Sequence, residues 1–215
     1  MKTGLLFDLD GTLLDTLEDL LDATNHALTQ HGFPLRTLEQ LRAVVGNGAA
    51  NQIRKSLPPE TPEERVAQVL ATYKAYYAEH CQIKTGPYPG IPAVLEALAK
   101  KYPIAIVSNK PDAAVKALCA DWFPGIYALG EQAGLPRKPA PDMVYRAMEA
   151  IGAKSCIYIG DSEVDILTAQ NAQVPCLTVT WGFRDERQLL ESGARTLCHA
   201  PANLINTIEE MIHGQ

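Results

Sequence analysis

No stretch of the 215-residue sequence reaches the roughly 20 consecutive apolar residues that a membrane span needs. Blocks of Lys and Arg are missing too, as is any interleaving of basic with aromatic residues. With a net charge of -6, the chain has no electrostatic footprint for nucleic acid. Cysteine is scarce: Cys81, Cys119, Cys156, Cys176 and Cys198 are odd in number and form no CxxC pair, against a zinc or dithiol site. Cys156 and Cys176 open apolar runs, so buried, reduced thiols are expected. An apolar run already begins at residue 4, which leaves no room for a leader peptide, and the cytoplasm is the expected location. Neither nucleic acid nor membrane is expected as a partner. A small acidic or phosphorylated metabolite fits if local cations are supplied, and both a monomer and a homodimer are compatible with the composition.

What is present is the make-up of a folded α/β chain. Hydrophobic residues are 47% and charged residues 20%, enough for a packed core. Short apolar runs of strand length occur at 4–7, 104–107, 126–129, 156–159 and 176–179. Helical periodicity fills most of the gaps, at 91–101, 113–121, 141–151 and 203–212. Unbroken apolar strands alternating with helices predict a Rossmann-like parallel sheet covered on both faces. Between the first two strands lie almost a hundred residues, far more than one crossover requires. Patterns at 17–31, 38–45, 49–57 and 62–80 predict four helices there, punctuated by Gly32-Phe33-Pro34, Gly46-Asn47-Gly48 and Pro58-Pro59. The expectation is an α/β core at 1–14 and 85–215 with an all-helical domain inserted at 15–84, rejoined through a hinge at Gly86-Pro87-Tyr88-Pro89-Gly90.

Ligands of open parallel sheets sit beyond the carboxyl ends of the strands. Asp8-Leu9-Asp10-Gly11-Thr12 follows the first strand. An Asp-Gly hairpin turn is one reading, but a helical pattern follows instead of a partner strand. Two acids so placed can divide labour, Asp8 attacking phosphorus and Asp10 moving protons at the bridging oxygen, while Gly11 lets backbone amides approach phosphate. Ser108-Asn109-Lys110 follows the second strand and offers donors to phosphoryl oxygens, or else caps the next helix. Lys138, stiffened by Pro139 and Pro141, supplies a cation or is an ordinary surface lysine. Asp161 and Asp165, in Gly160-Asp161-Ser162-Glu163-Val164-Asp165, cap a helix or bind metal. Magnesium prefers oxygen ligands and keeps several waters, so Asp8, the Asp10 carbonyl, Asp161 and a phosphate make a sufficient set.

The order Asp8-Leu9-Asp10-Gly11-Thr12, Ser108, Lys138-Pro139 and Gly160-Asp161-x-x-x-Asp165 resembles the four motifs of the haloacid dehalogenase superfamily over the whole chain. The resemblance implies Asp8 as nucleophile, Asp10 as general acid and base, Thr12 positioning Asp10, and Ser108 and Lys138 as phosphate ligands. It further implies Mg2+ held by Asp8, Asp10 and Asp161, with Asp165 supporting the metal or the lysine. The insertion resembles the superfamily's first class of helical cap. Asp10 argues against dehalogenation, which forms no alkoxide leaving group, and Lys55 and Lys74 match the cap lysine of phosphonatases by type only. Val45-Gly46-Asn47-Gly48-Ala49, Ser108-Asn109-Lys110-Pro111 and Thr180-Trp181-Gly182-Phe183-Arg184 resemble the bacterial phosphoglycolate phosphatases, which implies 2-phosphoglycolate as substrate. Gly46 and Asn47 would then meet the substrate carboxylate. A pyrophosphatase or other small-ester phosphatase, a β-phosphoglucomutase-like phosphomutase and a non-catalytic phosphometabolite sensor are the alternatives.

Overall fold

The computed structural model describes residues 3–214, so the expected core limits at 1 and 215 lie outside the described residues. In chain order the elements are β1 (Thr3–Phe7), β2 (Leu14–Asp15), α1 (Leu17–Gln30), α2 (Leu38–Arg42), α3 (Gly48–Ser56), α4 (Glu63–His80), β3 (Gly86–Pro87), α5 (Ile91–Ala99), β4 (Ile104–Pro111), α6 (Asp112–Trp122), β5 (Tyr127–Glu131), α7 (Asp142–Ala150), β6 (Ser155–Gly160), α8 (Glu163–Ala172), β7 (Cys176–Val179), α9 (Glu186–Glu191), β8 (Leu197–Cys198) and α10 (Leu204–His213). Six strands form one parallel sheet in the order β5-β4-β1-β6-β7-β8.

The period-two geometry of a strand explains the unbroken apolar runs, because successive side chains enter opposite layers and both layers are covered. Leu5 and Phe7 of β1, Ile104 and Ile106 of β4 and Ile157 and Ile159 of β6 face one layer, packed with Leu95 and Leu98 of α5, Leu118 of α6 and Ile208 of α10. Leu6, Ala105, Val107, Cys156 and Tyr158 face the other, with Met143, Val144 and Ala147 of α7 and Ala169 of α8. β1 lies between β4 and β6, where the winding reverses, so its carboxyl end opens onto the crevice of the sheet.

The four helices between β2 and β3 bury their own apolar set, including Leu20, Leu28, Leu41, Ile53, Val69, Tyr73 and Tyr77. Phe183 of the core reaches into this cluster. Asp19 of α1 accepts the backbone amides of Lys84 and Thr85, which ties the returning chain to the helical unit before it rejoins the core.

Several elements differ from expectation. α2 ends at Arg42, and residues 43–47 form the turn into α3. The segment expected as a plain hinge pairs in a short antiparallel ribbon, Leu14 opposite Pro87 and Asp15 opposite Gly86. β8 adds a sixth strand at the sheet edge. All five cysteines are free thiols, although Cys176 is only half-buried. Among the described residues no helix is long and apolar enough to cross a membrane.

Candidate active site

β1 delivers Asp8 to the carboxyl end of the sheet, where its backbone amide still bonds to the Ile159 carbonyl at 2.8 Å. Facing it is Lys138, whose side chain is 2% exposed. Its Nζ donates to Asp8 Oδ1 at 2.8 Å, Asp165 Oδ1 at 2.8 Å and the Tyr158 hydroxyl at 3.0 Å, which uses all three ammonium hydrogens. Asp165 is equally committed. Its Oδ2 accepts the backbone amides of Asp161 and Ser162 and the Ser162 hydroxyl, while Oδ1 takes Lys138 and the Tyr158 hydroxyl. Asp161 accepts from the Thr12 hydroxyl and the Phe183 amide.

Asp10 is the more open of the two carboxylates after β1. Its Oδ1 accepts from the Thr16 hydroxyl at 2.7 Å and lies 2.9 Å from Lys110 Nζ. With Thr16 and Lys110 both on Oδ1, the other oxygen, Oδ2, has no partner among the described residues. Ser108 is 1% exposed and accepts from the Lys110 amide, so its own hydroxyl hydrogen is available to a ligand.

Three buried carboxylates, Asp8, Asp161 and Asp165, offer oxygens within 4.8 Å of one another against the one ammonium of Lys138. Burial, with help from Asp165, Asp161 and Asp10, holds the Asp8 carboxyl well above the usual carboxylate range despite the opposing pull of Lys138. Burial and Asp165 likewise push Asp161 from 3.8 to about 7. For Lys138, burial works against the charge, but Asp165 and Asp8 outweigh it and raise its pKa. Excess negative charge on hard oxygen donors fits a small dication such as Mg2+.

A stability test follows from the sign of these shifts. Folded Asp161 keeps its proton up to about pH 7, whereas the unfolded chain releases it near 3.8. The metal-free protein therefore loses stability as pH rises through that window. After chelation, the melting temperature is expected to be lower at pH 8 than at pH 5, and added Mg2+ should raise it more at pH 8. An equal Mg2+ increment at both pH values would contradict this charge balance.

Over the carboxylates, the helical unit contributes Leu20, Val45, Gly46, Gly48, Ala49, Gln52 and Tyr73 to a cavity shared with Ser108, Asn109, Lys110 and Pro111. About 30 Å³ of water-accessible room remains there, enough for one or two waters. Arg184 holds the roof down. Its guanidinium donates to the backbone carbonyls of Arg42 at 2.7 Å and Val45 at 2.8 Å while forming a two-pronged pair with Glu163 of α8.

The individual expectations fare differently. Thr12 bonds to Asp161, and the hydroxyl on Asp10 belongs to Thr16. The Gly11 amide is taken by the Leu14 carbonyl. Glycine stands at 11 because its φ is +86° and a Cβ would collide with the Asp161 carboxylate. The Asn109 amide group donates to the carbonyls of Gly46 and Lys138, so the side chain links loops, and its buried Oδ1 has no partner among the described residues. Gly46 lines the cavity, whereas Asn47 is the N-terminal boundary residue of α3 and does not. Lys55 and Lys74 are exposed. Thr16, Lys110, Tyr158 and Arg184 were not singled out as site residues. Lys110 and Arg184 lay within quoted motifs, while Thr16 and Tyr158 carried no distinguishing signal.

A family model described as haloacid dehalogenase-like hydrolase matches residues 5–179. A phosphoglycolate phosphatase of Rhodobacter capsulatus is 35% identical over 193 residues, covering 86% of this chain and 87% of the relative. One from Pseudomonas syringae pv. tomato is 31% identical, covering 98% and 78%. Among solved structures, a candidate phosphoglycolate phosphatase from Lactobacillus delbrueckii subsp. bulgaricus superposes with a TM-score of 0.91 at 38% identity over 100% of both chains.

Proposed function

Because the chain belongs to the haloacid dehalogenase-like hydrolases, we propose that it is a Mg2+-dependent phosphatase of 2-phosphoglycolate that works through an aspartyl-phosphate. The observation that carries this reading is the pairing of two unlike carboxylates at one strand end. Asp8 is buried against Lys138, and Asp10 keeps a free oxygen toward the cavity. The relatives' names support the choice of substrate.

In the first step, an Asp8 oxygen attacks phosphorus, the ester P–O bond breaks, and Asp10 gives its proton to the departing oxygen. Lys138 and the Ser108 hydroxyl offset the charge on the phosphoryl oxygens. In the second step, water attacks phosphorus, its proton passes to Asp10, and inorganic phosphate leaves with Asp8 restored. Asp8, the Asp10 backbone carbonyl and Asp161 would hold Mg2+, which supplies further charge neutralisation for the phosphoryl group. Asp165, with both oxygens engaged, keeps Lys138 and the Asp161 backbone in place. The helical unit at 15–84 acts as a cap that lifts to admit substrate and closes to exclude bulk water.

Phosphate release in Mg2+ measured across a metabolite panel tests this. The expected result is that 2-phosphoglycolate is cleaved with a higher kcat/KM than pyrophosphate or sugar phosphates. Efficient cleavage of another ester with none of 2-phosphoglycolate would replace the substrate and keep the chemistry. Conversion of glucose 1-phosphate to its isomer would indicate a mutase instead.

A further inference from the structure

Among the residues lining the cavity above Asp8 and Asp10, Lys110 supplies the one cationic side chain. Its side chain is 2% exposed. Its ammonium forms an ion pair with Asp10 Oδ1 at 2.9 Å and donates to the Tyr77 hydroxyl of α4 at 2.7 Å, and the charge also lies 4.6 Å from the Tyr77 ring centre. Among the described residues, its ammonium makes no further hydrogen bond or ion pair. The remaining roof is uncharged: Leu20, Val45, Ala49 and Tyr73 are apolar or aromatic, and Gln52 is a neutral amide that donates to the Thr24 hydroxyl.

Position gives the spare donor meaning. Asp10 marks where the leaving oxygen sits during transfer, so a cation paired with Asp10 lies beside the first atoms of the leaving group. In an ester of a 2-hydroxy acid, the carboxylate carbon is two bonds from that oxygen. A neutral alcohol of the same length has nothing for the ammonium to meet. A buried cation with an unused donor favours the charged ligand and leaves the neutral one unmatched.

We propose that Lys110 determines specificity by binding the carboxylate of a short phosphorylated 2-hydroxy acid while staying paired with Asp10. This rests on the 2-phosphoglycolate reading and goes further: it names the residue and restricts substrates to esters with an anion next to the ester-bearing carbon. Tyr77 places the ammonium only when α4 is down, so the carboxylate is met in the closed enzyme.

The test compares kcat/KM for 2-phosphoglycolate and ethyl phosphate in the native protein, Lys110→Met, Lys110→Gln and Lys110→Arg. The native enzyme is expected to favour 2-phosphoglycolate by at least about 100-fold. Lys110→Met and Lys110→Gln slow both esters, but the preference itself should shrink by at least about 30-fold, as for a truncated buried charge pair. Lys110→Arg should keep part of it. Glutamine keeps a polar N–H group at this buried position, so Lys110→Gln decides the matter if the methionine variant fails to fold. An equal fall on both esters in the neutral variants would overturn the proposal and leave Lys110 acting through Asp10. Native enzyme cleaving ethyl phosphate as well as 2-phosphoglycolate would instead remove the substrate reading, whatever the variants do.

Discussion

Asp8→Asn is expected to lower turnover by about 10⁴-fold or more, in line with the loss of other enzymic nucleophiles. An amide has no charge with which to attack phosphorus, yet it fills the same space next to Lys138 and leaves the Asp8 backbone in its bond to Ile159. Stability should move the other way. The carboxyl of Asp8 is held above its usual range mainly by burial, with three neighbouring carboxylates adding to it, so removing its charge relieves the metal-free fold. The variant should thus be nearly inactive in phosphate release and, after chelation at pH 8, melt higher than the native protein. Retained turnover would refute the assignment of Asp8. A lower melting temperature would show that the Lys138 contact outweighs the repulsion.

Lys138→Met should have the opposite effect on stability with a comparable loss of activity. The ammonium is the shared partner of Asp8 and Asp165, both of which are almost fully inaccessible. Removing one partner of a buried ionic cluster costs about 3–5 kcal/mol because the other charges remain without compensation. For a domain of this size that corresponds to a fall of roughly 6–20 °C in melting temperature. The deficit should shrink on acidification, since the stranded carboxylates take up protons in the folded state more readily than in the unfolded one. Thermal melts at pH 5 and pH 8 check this, and the double variant with Asp8→Asn should recover part of the loss. A pH-independent deficit would assign the effect to lost packing of the lysine stem.

Legibility in the sequence follows the range over which each signal acts. The strand ends carrying Asp8, Ser108 and Asp161 could be located because a buried parallel strand writes itself as a continuous apolar run, and the residue after the run sits at the sheet edge; Lys138 lies in the loop after β5, seven residues past the strand. The four helices of the insertion were readable from apolar residues three or four apart and from the Gly and Pro turns between them. The ribbon of β2 and β3 was not, since pairs of two residues such as Leu14-Asp15 and Gly86-Pro87 are too short for any period. Side-chain partners were the least accessible. Thr12 is near Asp10 in sequence, yet the turn carries it to Asp161, and Thr16 arrives at Asp10 because α1 begins there. Arg184 and Tyr77 act across the boundary between the two units, where position depends on how the helices dock on the sheet.

The short ribbon has a consequence for the chain as an assembly of parts. Asp15 and Gly86 stand opposite each other, at the roughly 5 Å spacing of antiparallel neighbours. Asp19 fastens the returning Lys84 and Thr85 to α1, so the excursion closes its own circle before the chain resumes the sheet. A tight turn joining Asp15 to Gly86 would span the gap without pulling on β1 or α5. The helical unit thus leaves and rejoins the core at one place, so its ends make no demand on the sheet that holds Asp8 and Asp161.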